Sequence, residues 1–166
     1  MIVLGVDPGS RRTGYGVLET DGRRHQLIEK GVIVPAAGSS LAARLYSIHA
    51  GLTAIIARTR PDCLAVEDLF HAVNTRTALV LGHVRGVILL AGAQAHLQLS
   101  EFPPATVKLQ ITGFGGADKA QVAMMVARLL DLPGPSEPGD AADALAVALC
   151  RAHLGPGLSP PATPPA

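Results

Sequence analysis

Residues 1–20 read MIVLGVDPGSRRTGYGVLET. An apolar run over residues 2–6 stops at Asp7, Pro8 and Gly9, and a second run opens at Gly14. The first run has the length and composition of a buried strand, and it delivers a carboxylate to a tight turn that carries Arg11 and Arg12. In the second run, predicted as a strand over 14–20, small Gly14 and Gly16 alternate with Tyr15 and Val17. The TDGRR segment that follows is a hairpin turn, because Asp-Gly reaches positive φ at little cost. Residues 25–34 make a third strand, so the chain opens with an antiparallel meander.

The hydrophobic period then changes. In SSLAARLYSIHAGLTAIIART, Leu41, Leu45, Ile48, Leu52, Ile55 and Ile56 fall on one helical face, with Ser39 or Ser40 as N-cap. Pro61 ends that segment, and a short strand at residues 63–66 delivers a second carboxylate, Glu67. NTRTALVLGHVRGVILLAGAQAH reads as a long apolar helix and LQLSEF as the last strand. PPATVKLQITG begins with prolines suited to a helix start, and Asp118 and Gln121 have capping-box spacing at the start of the next helix. DAADALAVALCRAH is the final helix. The order is β-β-β-α-β-α-β-α-α, with room for one further short helix. It specifies an α/β fold, a mixed five-stranded sheet with helices on both faces. One domain over residues 1–153 is expected, followed by a Pro-rich tail at 154–166 that is expected to be disordered.

With 48% hydrophobic and 16% charged residues among 166, the chain can build a real core. Its net charge of +1 selects no class of partner. Cys63 and Cys150 lie far apart in apolar runs, which argues against a disulfide framework or a zinc site. Met1 leads straight into a strand with no basic leader, and charges or glycines interrupt every long apolar run, so a cytoplasmic location is expected. Aromatic residues are few (Tyr15, Tyr46, Phe70, Phe102 and Phe114), which excludes a broad base-stacking platform.

Four acids carry the chemistry. Asp7 and Glu67 end two strands, and Asp140 and Asp143 lie three apart at the start of the last helix, on one face. Each has an ordinary alternative role, in turn formation for Asp7 and in the helix dipole for Asp140 and Asp143. If the first and fourth strands are neighbours and the last helix packs over them, all four converge. Such a cluster repels itself unless cations or protons neutralise it. Hard oxygen ligands suit Mg²⁺ or Mn²⁺, and two ions in an acidic cluster drive phosphodiester hydrolysis.

Four segments resemble the RuvC family, bacterial Holliday junction resolvases of RNase H-like fold. They are GVDPGSRRTGYGVL, VEDLF with NTRTALVLGHVRGVILLA, PPATVKLQITGFGGADKAQV, and DAADALAVAL. The resemblance covers roughly residues 1–153. It implies that Asp7, Glu67, Asp140 and Asp143 are catalytic metal ligands for two Mg²⁺ ions, with Mn²⁺ able to substitute. It implies that Lys108 and Lys119 meet DNA near the scissile phosphate, that Phe70 meets a base at the junction centre, and that the TGFGGADK loop touches DNA. Arg11 and Arg12, projecting from the first turn, and Arg76 are further candidates for DNA contact; a solvated turn is the plainer reading of the first two. The long apolar helix would pack against its copy in a homodimer. The implied function is resolution of four-way junction DNA by paired nicks in recombination and repair, with RuvA and RuvB as partners. Val73, His83 and Val84 depart from the family's usual residues. The alternatives are an RNase H-like nuclease of ribosomal RNA maturation, which shares GVDPG, and a non-catalytic nucleic-acid-binding module of the same fold.

Overall fold

The computed structural model of the chain describes residues 1–68, 74–134 and 139–154. The strands are β1 (Ile2–Asp7), β2 (Thr13–Thr20), β3 (His25–Ile33), β4 (Cys63–Glu67) and β5 (Gln98–Phe102). The helices are α1 (Leu41–Thr59), α2 (Thr75–Gln94), α3 (Pro104–Thr112), α4 (Lys119–Leu129) and α5 (Asp140–His153). The strands form one sheet in the order β3-β2-β1-β4-β5. β1 pairs with β2 antiparallel and with β4 parallel, which confirms the expected mixed sheet.

The further short helix is α3. Gly113, at φ 77°, takes the left-handed conformation that ends it, and Asp118 and Gln121 form a full capping box that starts α4. Two local signals therefore split the segment between β5 and the last loop into two helices. At α1 the N-cap is Ser40, whose hydroxyl accepts from the Ala43 N–H.

Strand alternation sorts the core into two layers. Leu4, Val6, Leu64 and Val66 face α1 and α2, where Ile48, Leu52, Val84 and Ile88 are buried. Val3, Cys63 and Ala65 face the other way, toward α3, α4 and α5. By the same period of two, Asp7 lies on the face of Val3, and Glu67 on the face of Cys63 and Ala65. Both carboxylates thus end on the α5 side of the sheet.

α5 is buried along most of its length and is rich in alanine. It lies directly on strand backbone. A Cβ on Gly5 would stand 2.2 Å from the Ala144 carbonyl oxygen and 2.7 Å from the Ala148 nitrogen. One on Gly14 would stand 1.9 Å from the Asp140 carbonyl oxygen, and one on Gly16 would stand 2.5 Å from Leu145 Cδ2. No side chain fits at these positions without moving the helix. The glycines alternating along β2, together with Gly5 on β1, form a seat for α5.

Gly5→Ala should therefore destabilise the protein by about 1–3 kcal/mol through overpacking against rigid backbone. Gly22→Ala is not a neutral comparison, because Gly22 has φ 93°; Gly82→Ala, which meets open space, is. In thermal melts the Gly5 variant should lose several degrees and the Gly82 variant should not. Equal melting temperatures for Gly5→Ala and the parent would show that α5 does not rest on the strand.

Candidate active site

The turn after β1 is built to hold Asp7. Thr13 Oγ1 donates to the Gly9 carbonyl at 2.7 Å, and a Cβ on Gly9 would come within 2.0 Å of the Arg12 carbonyl oxygen. The turn closes tightly on itself, and Asp7 pairs with Gly14 across the β1–β2 ladder. On the other side the parallel register runs to Val6 opposite Val66, so Asp7 and Glu67 are the next residues of neighbouring strands. α5 begins over Gly14 and brings Asp140 and Asp143 to the same end of the sheet.

The electrostatics join these groups. Burial pushes the Asp7 carboxyl up to about 8, helped by the negative charges of Glu67, Asp143 and Asp140 and opposed by Lys119. Glu67 is also raised, first by burial and then by Asp143, with Lys119 and Lys108 opposing. The four acids and both lysines therefore belong to one electrostatic cluster.

Two cations are already engaged there. Lys119 Nζ lies 2.6 Å from Asp143 Oδ2, and this hydrogen bond holds its ammonium above the usual lysine range. Arg12 Nε lies 2.6 Å from Asp140 Oδ2. Arg12 thus meets a carboxylate across 128 residues of sequence instead of projecting freely. With Asp140 and Asp143 turned into these pairs, no three metal-ligating side chains among the described residues stand ready around one point. The donor chemistry nonetheless fits hard divalent cations: Asp7 and Glu67 are partly buried carboxylates held near neutrality, and the other two acids already attract positive charge.

Of the other candidates, Lys108 projects from α3 close enough to Glu67 to lower its pKa. Arg11 and Arg76 are exposed. Phe70 lies outside the described residues, as does Val73. One charged cluster was not anticipated. Arg85 of α2 pairs with Glu101 of β5 and stands 3.6 Å from Asp68 Oδ1. The Asp68 N–H donates to the Phe102 carbonyl at 2.8 Å. This cluster ties α2 to the strand ends one residue past Glu67. Its only sequence signal is an arginine inside an otherwise apolar helix.

A family model described as crossover junction endodeoxyribonuclease RuvC matches residues 3–151. The chain is 48% identical over 153 residues to the crossover junction endodeoxyribonuclease RuvC of Desulforamulus reducens, covering 92% of this chain and 94% of that one. It is 46% identical over 158 residues to the enzyme of the same description from Chloroflexus aggregans, covering 95% and 96%. Among solved structures it matches Thermus thermophilus RuvC in complex with a Holliday junction substrate, with a TM-score of 0.87, 33% identity, and coverage of 93% and 96%. The sheet order and the agreement with that structure give the chain the RNase H-like fold anticipated from its sequence. The chain belongs to the RuvC family of crossover junction endodeoxyribonucleases.

Proposed function

We propose that this chain resolves four-way DNA junctions as a homodimer, each protomer hydrolysing one phosphodiester bond at a site where Asp7, Glu67, Asp140 and Asp143 hold two Mg²⁺ ions, with Mn²⁺ as a substitute. The observation that carries this reading is the placement of a buried Asp7, its carboxyl raised to about 8, among three further acids at one end of the sheet. Such a site is uncomfortable as it stands and is relieved by divalent positive charge. When bound, the ions would supply a nucleophile from water and stabilise the departing 3′ oxygen. The protein's own part is to position. β1 and β4 fix Asp7 and Glu67 on rigid backbone, and the α5 seat fixes Asp140 and Asp143. Once Asp143 serves as a metal ligand, the Lys119 ammonium is freed to meet a phosphate, as is Arg12 once Asp140 does the same. Lys108 adds positive charge on the same side. Cytoplasmic recombination and repair, with RuvA and RuvB as partners, follow from the family resemblance. So does a role for Phe70 at the junction centre. Residues 1–153 would form the nuclease domain and 154–166 a dispensable tail.

The Asp7→Asn variant tests the division between catalysis and affinity. Cleavage of a synthetic four-way junction in Mg²⁺ should fall below detection, while a gel shift of the same junction should be retained, because affinity comes chiefly from lysine and arginine contacts to phosphate. Parallel loss of both would contradict separate roles for the acids and the basic residues.

α2 supports the dimer. Its Val84, Ile88 and Ala91 stripe is buried against the sheet and α1. Only 22% of its apolar 18-residue window is buried, and Leu79 and Leu90 are 61% and 50% exposed. Leu45, Ala78, Leu79, Gly82, Val87 and Leu90 line an apolar groove there. A helix apolar on a second face needs cover. A two-fold copy provides it and matches the near two-fold symmetry of the junction. Light scattering at micromolar concentration should give a dimer mass for the parent and a monomer mass for Leu79→Glu, with paired nicks lost in the variant. A monomeric parent would overturn the dimer.

A further inference from the structure

We propose that Arg44, together with Arg11, forms a phosphate-binding cleft that grips the DNA backbone beside the catalytic turn. This contact lies outside the acidic centre and its two lysines, and it rests on the reading of the chain as a junction nuclease.

Arg44 stands in the first turn of α1, half-buried. Its Nη1 donates to Ser10 Oγ at 3.3 Å, reaching the turn that follows Asp7. Its Nε is buried and has no hydrogen-bond partner among the described residues. The other engaged arginines differ: Arg12 pairs with Asp140, Arg58 with Glu29, and Arg85 with Asp68 and Glu101. Among the described residues no carboxylate forms a salt bridge with Arg44. The helix does not compensate either. A cation at a helix N-terminus opposes the dipole, and the first turn of α1 contains no acid.

The surroundings indicate what is missing. Arg44 and Arg11 line one cleft with Val34, Pro35, Gly38 and Ser39 between the catalytic turn and the β3–α1 connection, and no acidic residue lines it. Two guanidinium groups, a helix N-terminus and a spare buried N–H together form a receptor for a phosphate oxyanion, which guanidinium binds with paired charge-assisted hydrogen bonds. Ser10 lies three residues after Asp7, a span of at most about 11 Å. An anion held here is therefore a few phosphates from the bond to be cut, the right place to hold a strand in register.

The test uses the full chain with Asp7→Asn, so that binding is measured without cleavage, and follows fluorescence anisotropy of a labelled four-way junction across a salt series. Adding Arg44→Ala should weaken binding and reduce the slope of log affinity against log salt by about 0.9, the signature of one lost phosphate contact. Arg44→Lys should restore most of the slope, and Ser10→Ala should leave it unchanged. An unchanged slope in Arg44→Ala, or an equal loss of affinity in Ser10→Ala, would make Arg44 a brace for the turn and overturn the proposal. Thermal stabilisation by millimolar inorganic phosphate that disappears in Arg44→Ala, without any change in the junction slope, would assign the cleft to a free anion and also overturn it. Failure of the Asp7→Asn parent to bind the junction would count instead against the nuclease reading on which the proposal rests.

Discussion

The architecture depends on the contact between α5 and bare strand backbone. Gly5, Gly14 and Gly16 remove the side chains that would otherwise hold the helix off the sheet. The helix comes down until its own carbonyls lie against β1 and β2, and its alanines allow the approach along its length. Close packing of this kind has almost no slack, since interiors at crystal-like density transmit a displacement of a few tenths of an ångström. The first turn of α5 is therefore located relative to the end of β1 by backbone contact, and that contact sets where Asp140 and Asp143 stand with respect to Asp7 and Glu67. The RNase H-like sheet and the acid cluster are two consequences of one packing constraint.

That placement carries an electrostatic cost, which the rest of the site offsets. Burial and like charge disfavour ionised Asp7 and Glu67, while Lys119 and Arg12 bring positive charge to the two acids on the helix. These two ion pairs are partly solvated, so screening makes each modest in strength, which suits partners that must exchange. The Arg85 cluster is of another kind: it joins α2 to the ends of β4 and β5 beside Glu67. A helix that presents an apolar face to solvent is thereby linked to a strand that presents a catalytic carboxylate.

Much of this was legible in the sequence, for identifiable reasons. The four acids, the mixed sheet, the Ser40 cap and the Asp118–Gln121 capping box all rest on short-range patterns, and the structure contains each of them. The alternation of glycine with larger residues along β2 was visible as a strand, but its purpose was not, because the helix it seats lies more than a hundred residues away. Distance along the chain also hid the Arg12–Asp140 pair and the bridge from Arg85 to Asp68 and Glu101. Charges far apart in sequence give no periodic signal, and only the fold shows which of them meet. Arg44 escaped for a different reason. A polar residue on the first turn of an amphipathic helix looks like ordinary solvated surface until its missing carboxylate becomes apparent in three dimensions.

The central claim is that buried, mutually repelling carboxylates await divalent positive charge, and proton linkage measures it directly. Asp7, raised from 3.8 to about 8, keeps its proton at neutral pH in the metal-free protein. Because its folded pKa lies above the unfolded one, its contribution to stability is full below about pH 4 and is lost as pH rises through about 8. A metal ligated by Asp7 must displace that proton. Calorimetric titration with Mn²⁺ at neutral pH, in two buffers of different ionisation enthalpy, should show release of about one proton or more per site. The release should diminish above pH 8 and shrink in Asp7→Asn. Binding that releases no protons at neutral pH, or that is unchanged in Asp7→Asn, would contradict the account.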